Sequence, residues 1–136
     1  MRKEIKMHII NLDHFVITVH DLQKSVYFYH NIIGLPISEK QTNENFASLK
    51  CGNSLLRIRK ESNDVGAIVA HHLITDSFDF CLETNSTPNE IIQSLKNHQI
   101  DVELGPVTKH GFKGVMTSIY VRDPDKNLVE ISTYKK

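Results

Sequence analysis

The chain has 136 residues, 40% apolar and 24% charged, with 16 Lys and Arg set against 16 Asp and Glu and only six glycines and four prolines. This is the composition of one domain that buries a core without disulfides or a structural metal, and it excludes disorder, collagen-like repeats and a multidomain layout. A formal charge of zero gives no electrostatic footprint for nucleic acid or an anionic membrane, and no run approaches the 18 apolar residues of a transmembrane helix.

The first residues carry charges, but the apolar run behind them is broken by Asn11, Asp13 and His14, so no secretory leader is expected. Residues 8–19 read as a strand buried on both faces, with Phe15, Ile17 and Val19 alternating with His14, Val16 and Thr18. Asp21 then caps a helix of about three turns, marked by Leu22, Val26, Tyr29 and Ile33 and ended by Gly34 and Pro36. Three short strands follow over 36–41, 45–51 and 54–59, with Asn43-Glu44 and Gly52-Asn53 as turns. Residues 60–75 have no clean period and read as a connection in which His71 and His72 face solvent.

The pattern then restarts. Phe78, Phe80 and Leu82 alternate with Asp79, Cys81 and Glu83 in a strand, and Thr87-Pro88-Asn89-Glu90 supplies a cap, a first-turn proline and a capping-box glutamate for a helix to about His98. Strands over 102–104, 115–122 and 127–134 complete the chain, and Asp123-Pro124-Asp125 turns the last pair. The helix starts Asp21 and Thr87 lie 66 residues apart, and His14 and Asp79 lie 65 apart, which marks an internal repeat. The expectation is an α+β domain over 1–136 built of two βαβββ modules, about 8–59 and 76–134. They form a cupped mixed sheet with helices outside and a concave face free for a ligand. Uncovered sheet edges in so small a protein predict a homodimer. Cys51 and Cys81, in separate strands, read as free, largely buried thiols of a cytoplasmic protein.

The motif Leu12-Asp13-His14-Phe15-Val16-Ile17-Thr18-Val19, the helix segment Tyr27-Phe28-Tyr29 leading to Gly34-Leu35, and the run from Gly105-Pro106-Val107 through Ser118-Ile119-Tyr120-Val121-Arg122-Asp123-Pro124-Asp125 to Asn127-Leu128-Val129-Glu130-Ile131-Ser132 resemble the vicinal oxygen chelate superfamily. That family includes glyoxalases, bleomycin-resistance proteins and extradiol dioxygenases. The sequence is most similar to its small glyoxalase-domain, dioxygenase-related members, some of them called virulence proteins. The resemblance implies a divalent metal in the cup held by His14, Asp79 and Glu130, with Arg57 near the fourth position. Strand parity agrees, because His14 shares a face with Val16 and Thr18, and Glu130 with Leu128 and Ser132. An imidazole with two carboxylates suits Fe²⁺, Mn²⁺, Ni²⁺ or Zn²⁺ with positions left open for substrate oxygens, and permits Lewis-acid catalysis.

The sequence departs from the family at Arg57, which stays protonated and ligates no cation. Two readings of it stay open: an ion pair with Asp79 or Glu130 in place of a metal, or an anchor for a substrate carboxylate or phosphate. Tyr120 and Ser118 share the inward parity of Met116 and are expected beside the substrate, with Glu130 or Tyr120 assisting proton movement. The glycine-bracketed segment 108–114, with its basic and aromatic tip, is weighed as a lid against an ordinary hairpin connection. Lys126 stands where relatives often carry glycine, at a cost of up to about 1 kcal/mol for a positive φ. No dinucleotide, Walker or nucleophile-elbow motif is present, so no nucleotide cofactor is expected. Two functions follow: a metal-dependent lyase or dioxygenase acting on a small molecule that chelates the metal through oxygen, or a metal-free binder that sequesters a small molecule as in the bleomycin-resistance branch.

Overall fold

In the computed structural model, which describes residues 6–62, 69–70 and 72–136, the first strand, β1 (His14–Val19), is shorter than its apolar sequence suggests. Residues 8–13 form no strand, although the Leu55 N–H donates to the Asp13 carbonyl at 2.9 Å and Asn11 Nδ2 to the Asn53 carbonyl at 3.1 Å, and Ile9, Ile10 and Leu12 are exposed. Asp21 caps helix α1 (Leu22–Val26) by accepting the Lys24 N–H at 3.1 Å. The helix then widens into a π-helical stretch, Tyr27–Ile32, in which the Ile33 N–H reaches the Phe28 carbonyl at 2.9 Å. The wider turn brings two adjacent aromatics, Phe28 and Tyr29, into the core together. Strands β2 (Phe46–Cys51) and β3 (Ser54–Lys60) follow as a hairpin. β3 lies centrally, parallel to β1 and antiparallel to β2.

The strand expected over 36–41 is reduced to one bridge, Ile37 to Leu49, followed by a 3₁₀ turn, Glu39–Gln41. Local side chains take the bonds that a ladder would use. The Thr42 hydroxyl accepts the Ser48 N–H at 3.2 Å, and Asn43 Oδ1 accepts the N–H groups of Asn45 and Phe46.

The second module carries all four strands. β4 (Asp79–Glu83) leads to α2 (Pro88–Asn97), which opens on the capping box formed by Thr87 and Glu90. β5 (Leu104–Gly111), β6 (Gly114–Arg122) and β7 (Leu128–Thr133) complete a sheet in the order β4-β7-β6-β5. The 108–114 segment is therefore hairpin, continuous with β5 and β6, rather than a lid; Phe112 is fully exposed at its tip. Gly105 marks a register shift in β5 where φ is +121°, and a Cβ there would stand 2.6 Å from the Ser118 carbonyl, so only glycine fits.

One core serves both modules. Ile17, Val19, Leu49, Leu56 and Ile58 of the first sheet and Ile119, Val121, Val129 and Ile131 of the second form a cluster with Phe28, Tyr29, Ile91 and Leu95. Each such side chain, fully buried, contributes about 2 kcal/mol. Phe15 meets Phe80 edge to face at 5.3 Å, and Tyr29 stacks on Phe80 at 6.1 Å. The Tyr29 hydroxyl donates to the Asp123 carboxylate at 2.5 Å, and the His20 N–H donates to Asp125 at 2.8 Å. The modules are thus clamped through the β6–β7 turn, and no strand ladder joins the two sheets among the described residues. No described helix is long and apolar enough to cross a membrane.

Candidate functional site

Register decides which side chains share the faces turned away from the core. In the first sheet the cross-strand rows on that face are His14, Leu55 and Lys50; Val16, Arg57 and Ser48; and Thr18, Arg59 and Phe46. In the second they are Asp79, Leu128 and Arg122; Cys81, Glu130, Tyr120 and Leu104; and Glu83, Ser132, Ser118 and Val107. The register puts His14 on one face with Val16 and Thr18, Glu130 with Leu128 and Ser132, and Tyr120 with Ser118, the shared faces that alternation predicts.

The second sheet gathers its residues into one constellation. Glu130 is half-buried, and its Oε2 accepts the Ser118 hydroxyl at 2.6 Å and the Ser132 hydroxyl at 3.0 Å. Ser118 and Ser132 are fully buried and 2.7 Å apart, a hydroxyl floor under the carboxylate. Both bonds fall on one oxygen, Oε2, and leave Oε1 outside this pair. Tyr120 stands opposite Glu130, and burial, then the Glu130 carboxylate, pushes its hydroxyl up to about 12, so it remains a proton donor at neutral pH. Lys109 lies over the Tyr120 ring at 5.9 Å.

Cys81, expected from the sequence to be a free and largely buried thiol, is free but exposed on this face beside Glu130, with its Sγ 3.1 Å from the Ser132 hydroxyl. Burial of the thiol pushes its pKa up; the Ser132 hydrogen bond opposes the shift and the Glu130 charge adds to it. Asp79 is exposed at the start of β4, one row away, opposite Leu128. The signal for Cys81 and Ser132 was available, since each lies two residues beyond a predicted site residue on its own strand.

The first sheet holds a separate group. His14 is exposed, with Nδ1 2.8 Å from the Asp13 carboxylate. Arg57 is half-buried; its Nε donates to the Ser48 hydroxyl at 3.1 Å, its Nη2 donates to Gln41 Oε1 at 2.7 Å, and its guanidinium lies 5.5 Å from the Phe46 ring centre. Among the described residues it makes no ion pair with Asp79 or Glu130. The imidazole and carboxylates are chemically suited to a divalent ion, yet no three His, Cys, Asp or Glu side chains converge to hold one among the described residues. Among the described residues of one chain, His14 stands on the first sheet and Asp79 and Glu130 on the second, and they form no closed coordination sphere. His71 lies outside the described residues, and His72 is exposed.

Comparison with known proteins accounts for the arrangement. Residues 11–131 match the family model described as Glyoxalase/Bleomycin resistance protein/Dioxygenase superfamily. The chain is 32% identical over 136 residues to the glyoxalase domain-containing protein RDO1 of Mycosarcoma maydis, covering 98% of this chain and 74% of that protein. It is 31% identical over 132 residues to virulence protein STM3117 of Salmonella typhimurium, covering 97% and 90%. The crystal structure of that virulence protein superposes with a TM-score of 0.85 over 94% of this chain and 99% of its own. The fold also matches lactoylglutathione lyase from Agrobacterium tumefaciens, at a TM-score of 0.70, 22% identity and coverage of 91% and 93%. The repeated module, the cup-face register and these matches together show that the chain belongs to the glyoxalase, bleomycin-resistance and dioxygenase superfamily.

Proposed function

We propose that the protein is an enzyme of the glyoxalase and dioxygenase type acting on a small molecule in the cup, with Glu130 handling the proton and Tyr120 donating to a substrate oxygen. The observation that carries this reading is the Glu130 carboxylate itself, oriented on one oxygen by Ser118 and Ser132 and facing a tyrosine held protonated. A carboxylate so placed accepts a proton from a bound substrate, while the Tyr120 hydroxyl stabilises the oxygen on which charge develops.

The reading includes a homodimer. Pairing of two copies supplies what one chain lacks, by setting the β1 face of one against the β7 face of the other, so that His14 joins Asp79 and Glu130 from the second copy. That donor set is suited to Fe²⁺, Mn²⁺, Ni²⁺ or Zn²⁺. It also includes a cytoplasmic location, supported by two free cysteines. The second reading, a metal-free binder of the bleomycin-resistance kind, is favoured by Arg57, a cation on a face where a metal ligand would be expected.

One experiment separates the two. Protein stripped of metal is titrated calorimetrically with the four ions, and its mass is measured by sedimentation. The enzyme reading expects a dimer that binds one ion per chain, and at least tenfold weaker binding in both Glu130→Ala and His14→Ala with folding intact. A wild-type protein that binds no divalent ion as a dimer overturns the metal-dependent form and leaves the binder.

A further inference from the structure

The charges of this chain cancel overall but not locally. Of the nine side chains that the register places on the open face of the first sheet, four are His14, Lys50, Arg57 and Arg59, and none is a carboxylate. The Asp13 carboxylate, just before the strand, lies 2.8 Å from His14 Nδ1. Arg57 lies in the middle row, between Val16 and Ser48.

Arg57 is held rather than neutralised. Both acceptors it has among the described residues, the Ser48 hydroxyl and the Gln41 amide oxygen, are uncharged. Ser48 is fully buried, and the Phe46 ring lies beside the guanidinium plane. Among the described residues two of its five N–H groups are used, which leaves three with the full positive charge. Fixing a guanidinium with neutral acceptors removes the entropy cost of ordering it when an anion arrives, and leaves the attraction intact.

We propose that this face binds the carboxylate of a small organic acid, with Arg57 as its anchor and with Ser48 and Gln41 as the residues that position the guanidinium. The proposal deepens the small-molecule reading above and rests on it, naming the class of ligand. A carboxylate matches the donors better than a phosphate does. Among the described residues the backbone N–H groups here belong to the β1-β3-β2 ladders, so the cluster of free amides that a dianionic phosphate commonly uses is missing.

The test is made on the full chain, freed of metal by passage over a chelating resin, so that a carboxylate bound to a metal does not enter the result. Benzoate, its neutral analogue benzamide, and inorganic phosphate are titrated by amide chemical shift and by calorimetry. Benzoate is expected to saturate one site per chain, more weakly as salt is raised, and to bind at least tenfold tighter than either other probe. Arg57→Gln is expected to weaken benzoate at least tenfold, about 1.4 kcal/mol. Arg57→Lys keeps the charge, loses the fork, and is expected to fall between. Ser48→Ala is expected to weaken benzoate about threefold with thermal unfolding little changed.

Equal binding of benzoate and benzamide, tighter binding of phosphate, or benzoate affinity unaltered in both Arg57 variants overturns the proposal. So does dissociation of a wild-type dimer in Arg57→Gln with benzoate binding intact, which would assign the guanidinium to carboxylates of a second copy. Because the measurement needs no metal and leaves Glu130 in place, its failure is distinct from failure of the metal titration.

Discussion

The clamp between modules gives a prediction whose size follows from the structure. Tyr29 is fully buried, and Asp123 is 4% exposed. Four donors meet the Asp123 carboxylate: the Tyr29 hydroxyl at 2.5 Å and Asn127 Nδ2 at 2.8 Å on Oδ2, and the N–H groups of Asp125 at 2.9 Å and Asn127 at 2.8 Å on Oδ1. Tyr29→Phe keeps the ring that stacks on Phe80 and deletes one donor. A hydrogen bond to a buried charge contributes about 2 kcal/mol, so the variant should unfold that much more readily at pH 7, with Tm lower by about 7 °C for a chain of this size.

The pH dependence makes the test sharper. Burial, and after it the Asp123 charge, raises the Tyr29 pKa far above the ordinary tyrosine value of 10. The unfolded chain ionises this hydroxyl above pH 10 and the folded chain does not. The stability it contributes is therefore complete below pH 10 and is lost as pH rises further, at about 1.4 kcal/mol per pH unit. The variant has no such hydroxyl, so the gap of about 2 kcal/mol between the two proteins should narrow to about 0.6 kcal/mol at pH 11. Denaturant unfolding of both proteins from pH 7 to 11 measures the difference, in which the other tyrosines and the lysines cancel. An equal midpoint at pH 7, or a gap that stays constant to pH 11, would refute the argument.

Two further outcomes follow from backbone and thiol geometry. Lys126 has φ of +68°, and its N–H and C=O, bonded to the Asp123 carbonyl and the Arg122 guanidinium, are retained by glycine; Lys126→Gly should therefore raise stability by about 0.5–1 kcal/mol, read as a Tm higher by about 3 °C. Native protein treated with iodoacetamide should be alkylated at Cys81 before Cys51, because Cys81 is exposed and Cys51 only half so; burial raises both thiols above their ordinary range, so both rates should climb through pH 9. Peptide mass spectrometry reads the order, and equal rates would contradict the burial assigned to Cys51.

Those elements whose signal is local were legible in the sequence. The Thr87-Pro88-Asn89-Glu90 cap forms as read, because its two reciprocal bonds lie within four residues. Alternation in β1, β4 and β7 placed each side chain on the correct face, since a period of two leaves one choice once the apolar set is known. What failed depended on competition that periodicity does not record. Residues 36–41 carry strand-like composition, yet the Thr42 and Asn43 side chains claim the neighbouring N–H groups and turn the chain away after a single bridge. The π-helical stretch was hidden for a similar reason, since Phe28 and Tyr29 are neighbours in sequence and a regular helix would turn them to different directions.

The site divides along the same line. The face of Glu130, Tyr120, Ser118 and His14 follows from alternation, while the partners each one chooses are tertiary. Arg57 illustrates the physics. Three carboxylates, Asp79, Glu83 and Glu130, lie on the other sheet, and an ion pair with any of them would cost desolvation of both groups. The guanidinium instead rests on a buried serine and a glutamine from the turn after α1, neighbours that the sequence puts nine and sixteen residues away and that only the β2–β3 register and the 3₁₀ turn bring close. Neutral acceptors leave its charge available, while Glu130 is held by two hydroxyls that leave its charge available too. Among the described residues Arg57 on one sheet and Glu130 on the other are thus each held by neutral partners, and under the proposed function a substrate that carries both an acid and an exchangeable proton would satisfy the two at once.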